Sequence, residues 1–281
     1  LEQVTFIMQG PLVDDSIKTI RIYRQFANVV VSCWNTDNPR LIQAAANEAD
    51  DIIVNTFIEE SKAYNFQNIK YQIQTTLEGA KKSKTDYIVK VRSDEYFTNC
   101  EPIIKSVLSN PAKMTVCNFL FRKGVILHPS DHIIGGDKEK LIDMLENASD
   151  MIKDYKFCQK IPMSTFGFPD GSCYRFLTAE STLCLSWLKT MGLDFLKESA
   201  GMDLLTIEHY YRKVVKKYYS LVTASDLGHF LFRYKSNPRL NSPTAFTNEQ
   251  QFLQHSKVPS ISSLDDICIS ALRERESEDY Q

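Results

Sequence analysis

The chain lacks several features that would settle its class at once. Its seven cysteines, Cys33, Cys100, Cys117, Cys158, Cys173, Cys184 and Cys268, include no C-x-x-C pair. Several sit in apolar segments such as TVCNFLF and STLCLSWL, which argues for reduced thiols in a cytosolic protein and against a disulfide framework or a zinc site. No apolar run approaches the length of a membrane span, and the N-terminus lacks a basic-then-apolar signal pattern. The first residues enter a strand abruptly, which leaves room for a longer parent protein. Internal repeats and low-complexity linkers are absent. A formal net charge of −2 gives no electrostatic footprint for nucleic acid. An anionic ligand must therefore be held by local cations and backbone N–H groups.

What is present is ordinary for a globular protein: 281 residues, 43 % hydrophobic and 24 % charged. That length suits one α/β domain, read here as a nucleotide-binding half (1–100), a second half (101–260) and a tail (261–281). The segment VTFIMQGPLV is a strand broken by Gly10-Pro11, a loop that lets a ligand approach the backbone closely. A helix is expected over 15–27, a strand over NVVVSCW, a polar loop from Asn35 to Pro39, a helix over 40–49, a third strand over DIIVN and a helix over 65–83. Tyr87, Ile88, Val89 and Val91 then form a fourth strand, ending in Arg92-Ser93-Asp94-Glu95. Four short strands alternating with helices predict a mainly parallel, doubly wound sheet. A buried strand that delivers carboxylates at its C-terminal end is how open α/β sheets place ligand-binding groups. Such oxygens suit Mg²⁺ or Mn²⁺, which bridge the phosphates of nucleotides.

Further on, the pattern predicts a helix over 103–108 and a strand over MTVCNFLF. In GVILHPSDHIIGGDKEKLIDML it predicts two strands around a polar turn, then a helix capped by Asp137. A long loop over 152–176, a helix over 178–197 with Thr178 as N-cap, a helix over 202–217, a last strand over 218–223 and a donor-rich loop SDLGHFLFRYKSNPR complete the reading.

The strands, the polar loops after them and the strand-terminal acids together resemble the GT-A fold of sugar-nucleotide-dependent glycosyltransferases. More narrowly, FIMQGPLV, VVVSCWN, the N-x-x-x-Q-I segment at 68–73, VKVRSDEYF, SDHIIGGD and RFLTAES are similar to the WavE family of lipopolysaccharide-synthesis proteins. The acid motif departs from Asp-x-Asp, with Ser93 in place of the first acid, and Tyr71 stands where a basic residue is expected before Gln72.

The resemblance implies a glycosyltransferase that moves a sugar from a nucleotide-diphosphate donor, with UDP-sugar favoured by family habit, to a glycan or lipid-linked saccharide. It implies Mn²⁺ or Mg²⁺ at Asp94, with His229 as a second ligand from a late loop. Gln9, Gly10, Pro11, Asn35, Asp37, Asn68, Gln72, Arg92 and Ser93 are the expected donor-binding residues, joined by Arg233 and Lys235 at the diphosphate. Glu95 and His132 are expected on the acceptor side. Glu180, in the first turn of its helix, is the expected general base of an inverting reaction, with Asp131 second. Bland alternatives stand beside each of these: acids favoured by a helix dipole, an Asp–His pair serving as a structural hydrogen bond, solvated amides and loop charges. Two other functions remain open, a nucleotide- or glycan-binding module without chemistry and a sugar-phosphate nucleotidyltransferase. For the latter, MQGPLVDDS offers no glycine-rich signature. Nucleic acid is not an expected partner; the expected location is the cytoplasm, with contact at the inner face of a membrane compatible with it.

Overall fold

The structure, a computed structural model, describes residues 3–59, 68–118, 126–153, 178–202, 204–228, 230–233 and 245–246. The long loop expected over 152–176, the tail, His229 and Lys235 lie outside the described residues apart from the loop's first two positions.

Among the described residues, seven strands, numbered along the chain, form one sheet in the order β3-β2-β1-β4-β7-β6-β8. Its first half is parallel: β1 (Val4–Gln9) lies between β2 (Asn28–Trp34) and β4 (Tyr87–Arg92), and β3 (Asp51–Asn55) pairs outside β2. β7 (Ile134–Asp137) runs antiparallel between β4 and β6 (Met114–Cys117), and β8 (Tyr219–Val222) is parallel to β6. The result is a mixed α/β fold with a mostly parallel, doubly wound sheet of GT-A-like architecture.

Strand alternation divides the core in two. Ile7, Val30 and Ile88 point to one face, where α3 (Ile69–Lys82), α5 (Lys138–Lys153), α6 (Ala179–Thr190) and α8 (Leu204–Tyr218) cover them. Phe6, Met8, Val29, Val31, Val89 and Val91 point to the other, under α1 (Ser16–Tyr23), α2 (Pro39–Glu48) and α4 (Glu101–Ser109). Gly79 lets α3 lie close on β1, since a Cβ there would come within 2.3 Å of Ile7 Cγ2.

Several boundaries differ from the sequence expectation. The first helix is shorter than 15–27 and ends at Tyr23. Ile126 and Leu127 form a buried turn rather than a strand. The helix begun at Thr178, closed by a Thr178–Ser181 capping box, stops at Thr190. Gly192 follows at φ +80°, and a short α7 (Phe195–Glu198) begins behind an Asp194 cap, so one expected helix is two. The acid motif does not end in a loop: Glu95 opens β5 (Glu95–Phe97), in a second, antiparallel sheet with β9 (Phe230–Arg233) and β10 (Ala245–Phe246). The expected donor-rich loop after β8 therefore includes a 3-10 helix (Ala224–Leu227) and β9.

Candidate functional site

β1 is flanked by β2 on one side and β4 on the other, the point where the strand order reverses and where open α/β sheets bind ligands. A cavity of about 440 Å³ opens beyond the C-terminal ends of these strands, within the range of small-molecule sites. Gln9, Gly10 and Pro11 line it from β1, Asp37 from the loop after β2, and Asn68 and Gln72 from the start of α3. Arg92, Ser93 and Asp94 line it from β4, and Asp131 faces them from the segment before β7. Asn35, Glu95, His132 and Glu180 do not line it. A larger hollow of about 570 Å³, bounded by Met151, Leu185, Lys189 and Phe195, includes none of these strand-end residues.

The loop geometry explains why the cavity is shaped here. Gly10 adopts φ +112°, a conformation L side chains rarely take, and donates its N–H to Ser32 O at 3.1 Å. Ser93, 1 % exposed, donates its hydroxyl to Pro11 O at 2.6 Å, and its carbonyl accepts from Ser16 Oγ at 2.8 Å. This serine clasps the Gly-Pro loop and α1 to the end of β4. Asp37 Oδ2 accepts from the backbone N–H groups of Leu12 and Trp34 at 3.1 and 3.0 Å, so one of its oxygens ties the same loop to β2. Gln9 Oε1 accepts from Thr75 Oγ1 at 2.8 Å, and Asn35 Oδ1 accepts from Phe57 N at 2.9 Å. Asn68 stands just before α3 in the left-handed region, φ 60°, which asparagine tolerates.

A connected set of ionisable groups runs from the cavity wall into the structure behind it. Arg92 forks onto Asp94, Nε to Oδ1 at 2.9 Å and Nη2 to Oδ2 at 2.8 Å, and its Nε lies 2.7 Å from Glu95 Oε1. His132 Nδ1 meets the same Glu95 oxygen at 2.7 Å, and His132 Nε2 lies 3.8 Å from Asp131 Oδ1. Gln72 donates to Asp131 Oδ2 at 2.8 Å, and the buried Lys90 ammonium donates to the Asp131 carbonyl.

Burial works against the charged form of Asp131. Lys90, His132 and Arg92, with the Gln72 hydrogen bond, outweigh it and hold the carboxyl well below its usual range. Burial likewise works against a charged Arg92, but Glu95, Asp94 and Asp131 raise its pKa further. Lys90 is lowered, chiefly by burial and against the pull of Asp131.

Glu180 sits in the first turn of α6, with Oε1 at 3.6 Å from His128 Nε2. Its Oε2 is buried with no hydrogen-bond partner among the described residues. Arg233 ends β9, next to the Glu95–Phe232 pair, so the chain of the late basic segment reaches the acid motif. Sequence reasoning missed Trp34, Thr36, Phe57 and Tyr71 on the cavity wall. The signal for Tyr71 was its unexpected aromatic ring before Gln72.

Among the described residues, no group of three or more His, Cys, Asp or Glu is placed to hold a metal ion. The smaller donor set still fits a hard divalent ion held partly by ligand phosphates. Such ions commonly use one or two protein carboxylates, and each Asp94 oxygen keeps acceptor capacity beyond its one bond to Arg92. Burial pushes the Cys33, Cys100 and Cys184 thiols up to about 12, which suits inert core residues. No helix among the described residues is long and apolar enough to cross a membrane.

No curated protein matches the chain in sequence. Among solved structures it is similar to the apo-form glycosyltransferase GlyE of Streptococcus pneumoniae, with TM-score 0.46 and 10% identity over 99% of this chain and 64% of that one. It is also similar to HddC from Yersinia pseudotuberculosis complexed with GMP-PN, with TM-score 0.32 and 12% identity over 51% of this chain and 80% of that one. A third is a CMP:2-keto-3-deoxy-manno-octonic acid synthetase complexed with CTP, with TM-score 0.36 and 14% identity over 53% of this chain and 78% of that one. The model of the WavE lipopolysaccharide synthesis family matches residues 4–262. With nearly the whole sequence matched, the chain belongs to the WavE lipopolysaccharide synthesis family.

Proposed function

We propose that the protein transfers a sugar from a nucleoside-diphosphate donor, UDP-sugar favoured, to a glycan or lipid-linked saccharide acceptor. The observation that carries this reading is the cavity at the strand reversal, where the Gln9-Gly10-Pro11 loop faces the Arg92–Asp94 fork. Backbone and amide groups at the β1 and α3 side suit a nucleoside. Arg92, with Arg233 and Lys235 from the late segment, supplies the cations for a diphosphate.

Asp94 is the residue to hold Mn²⁺ or Mg²⁺, with His229 as its second protein ligand. Bound there, the ion would neutralise charge on the leaving diphosphate. Asp131 has its proton affinity held down by Lys90, His132 and Arg92, which suits a hydrogen-bond anchor better than a base. Glu180 does not line the cavity, and it is proposed as the base, with inversion at the sugar, because its buried second oxygen has no hydrogen-bond partner among the described residues. Glu95 and His132 brace the acid motif from behind, and their acceptor role would be indirect. We read the chain as one unit acting in the cytoplasm, at the inner face of a membrane when the acceptor is lipid-linked.

A second reading has one observation in its favour. Both Asp94 oxygens are engaged by Arg92, and Ser93 is consumed by the loop clasp, an arrangement compatible with binding a nucleotide without chemistry. Hydrolysis of sugar nucleotides in the presence of Mn²⁺ separates the two. Slow hydrolysis that disappears in Asp94→Ala supports the transferase, and binding without any turnover supports the module.

A further inference from the structure

Trp34, Phe57 and Tyr71 make an aromatic corner on the cavity wall. Trp34 meets Phe57 and Tyr71 edge-on, each at 5.5 Å between ring centroids, and Phe57 and Tyr71 lie tilted at 4.9 Å. The three rings come from the end of β2, the segment after β3 and the first turn of α3. Trp34 is buried at the back, whereas Phe57 and Tyr71 are only half-buried.

The corner is held rigid by polar contacts outside the rings. Tyr71 donates its hydroxyl to Ile58 O at 3.0 Å, and Asn35 Oδ1 holds the Phe57 N–H at 2.9 Å. Two half-buried rings fixed on a cavity wall form a low-entropy stacking surface. Across the cavity stand the charged groups Arg92, Asp94 and Asp131. β2 and β4 are two strands apart, about 10 Å by ordinary strand spacing, a separation suited to a ligand with an apolar ring at one end and anionic groups at the other.

We infer that Phe57 and Tyr71, backed by Trp34, are the nucleobase-stacking site, and that they orient the ligand with its base at the β2–β3 side and its phosphates at Arg92. The inference rests on the nucleotide-donor reading above and adds to it a direction of binding and the residues that read the base. Asn35 is then a positioning residue that acts through Phe57. Stacking is tolerant of base identity, because every base offers a π-face. Selection among bases falls to the polar groups around the corner.

Intrinsic fluorescence provides the test. The chain has two tryptophans, and Trp187 is fully buried in the core, so quenching by a bound base reports Trp34. UDP, GDP and CDP are titrated separately, with inorganic diphosphate and the free sugars as competitors. At least one nucleotide is expected to quench. Phe57→Ala and Tyr71→Ala should each weaken it by about 5- to 150-fold, the effect of losing one base–aromatic stack, and leave inorganic diphosphate binding unchanged. Tyr71→Phe keeps the ring and should retain affinity within about twofold, which separates stacking from loss of the Tyr71–Ile58 tie.

Nucleotide binding that survives both alanine variants overturns the stacking site and leaves the nucleotide reading intact. Equal loss of nucleotide and inorganic diphosphate, or competition at the corner by free sugar, also overturns it. If wild type binds no nucleotide by calorimetry either, the donor reading falls, and the stacking site falls with it.

Discussion

The guanidinium of Arg92 and the carboxylate of Asp94 form a two-pronged pair at 2.9 and 2.8 Å on the cavity wall, only two residues apart in sequence. The same guanidinium reaches Glu95 Oε1 at 2.7 Å, so one cation holds two acids in different settings. Asp94 stays at the cavity, while Glu95 is 2 % exposed and enters the second sheet. The motif thus sends one carboxylate to the ligand side and the other to the scaffold.

This division makes Asp94 the residue through which a metal would act. A nucleoside diphosphate at a hundred times its dissociation constant should raise stability by about 2.7 kcal/mol, and Mn²⁺ should tighten its binding. Asp94→Asn keeps an acceptor for Arg92 but removes the charge, so the Mn²⁺-dependent part of the thermal shift should vanish. An undiminished Mn²⁺ effect in this variant would remove Asp94 from the metal role.

Ser93 carries a different prediction. Its hydroxyl joins β4 to the Pro11 carbonyl, and a Cβ on Gly10 would come within 3.1 Å of it. Ser93→Ala should cost about 1–3 kcal/mol by orphaning that carbonyl. Ser93→Asp, which creates an Asp-x-x acid motif closer to the usual one, should destabilise at least as much and gain no metal affinity. Denaturant melts of both variants check this, and a stable Ser93→Asp protein with tighter Mn²⁺ binding would show that the clasp is dispensable.

If Glu180 is the proton acceptor, Glu180→Gln should preserve donor binding while transfer to the acceptor falls ~10²–10⁴-fold, the usual worth of general-base catalysis. Single-turnover transfer rates measured at saturating donor decide it. A variant with wild-type rate passes the role to Asp131, whose Asn variant should then show the loss instead.

Away from the cavity, Glu208 on α8 is 2 % exposed, and its Oε2 has no hydrogen-bond partner among the described residues. Burial pushes its carboxyl up to about 6, against the pull of Arg212. The folded value lies above the unfolded one, about 4.3. Its contribution to stability is therefore fully present below about pH 4.3 and is lost as pH rises through 6. Glu208→Gln removes this titration and should be more stable than wild type near pH 8 by about 2 kcal/mol. Melting curves of the two proteins from pH 4 to 8 should diverge upward in pH. Parallel curves would mean that the carboxylate has a compensating partner when charged.

Much of this was legible in the sequence, because short β-branched and apolar runs with polar ends are local signals. The four strands of the parallel half, the Gly10-Pro11 loop and the acid motif at the end of β4 all appear where the pattern places them. Gln72 and Asp131, far apart in sequence, were each expected at the site, and a hydrogen bond joins them. What was not legible depends on contacts between distant segments. Glu95 reads as a loop acid until β9 pairs with it. Ser93 reads as a missing ligand until its hydroxyl is seen to donate to the Pro11 carbonyl. Tyr71 reads as a departure until Trp34 arrives from the end of β2 and Phe57 from the segment after β3. Gly192 was the one local signal that should have divided the expected helix over 178–197.

The central claim, that the cavity at the strand reversal binds a sugar nucleotide, is tested most directly by calorimetric titration of UDP-, GDP- and CDP-sugars with Mn²⁺ present. One of them is predicted to bind one-to-one. Gln72→Ala, which removes a cavity wall residue and frees Asp131 Oδ2, should weaken that binding. Lys189→Ala, at the larger hollow between the helices, should leave it unchanged. Binding lost in Lys189→Ala and retained in Gln72→Ala, or no binding of any sugar nucleotide to the wild-type protein, would contradict the account.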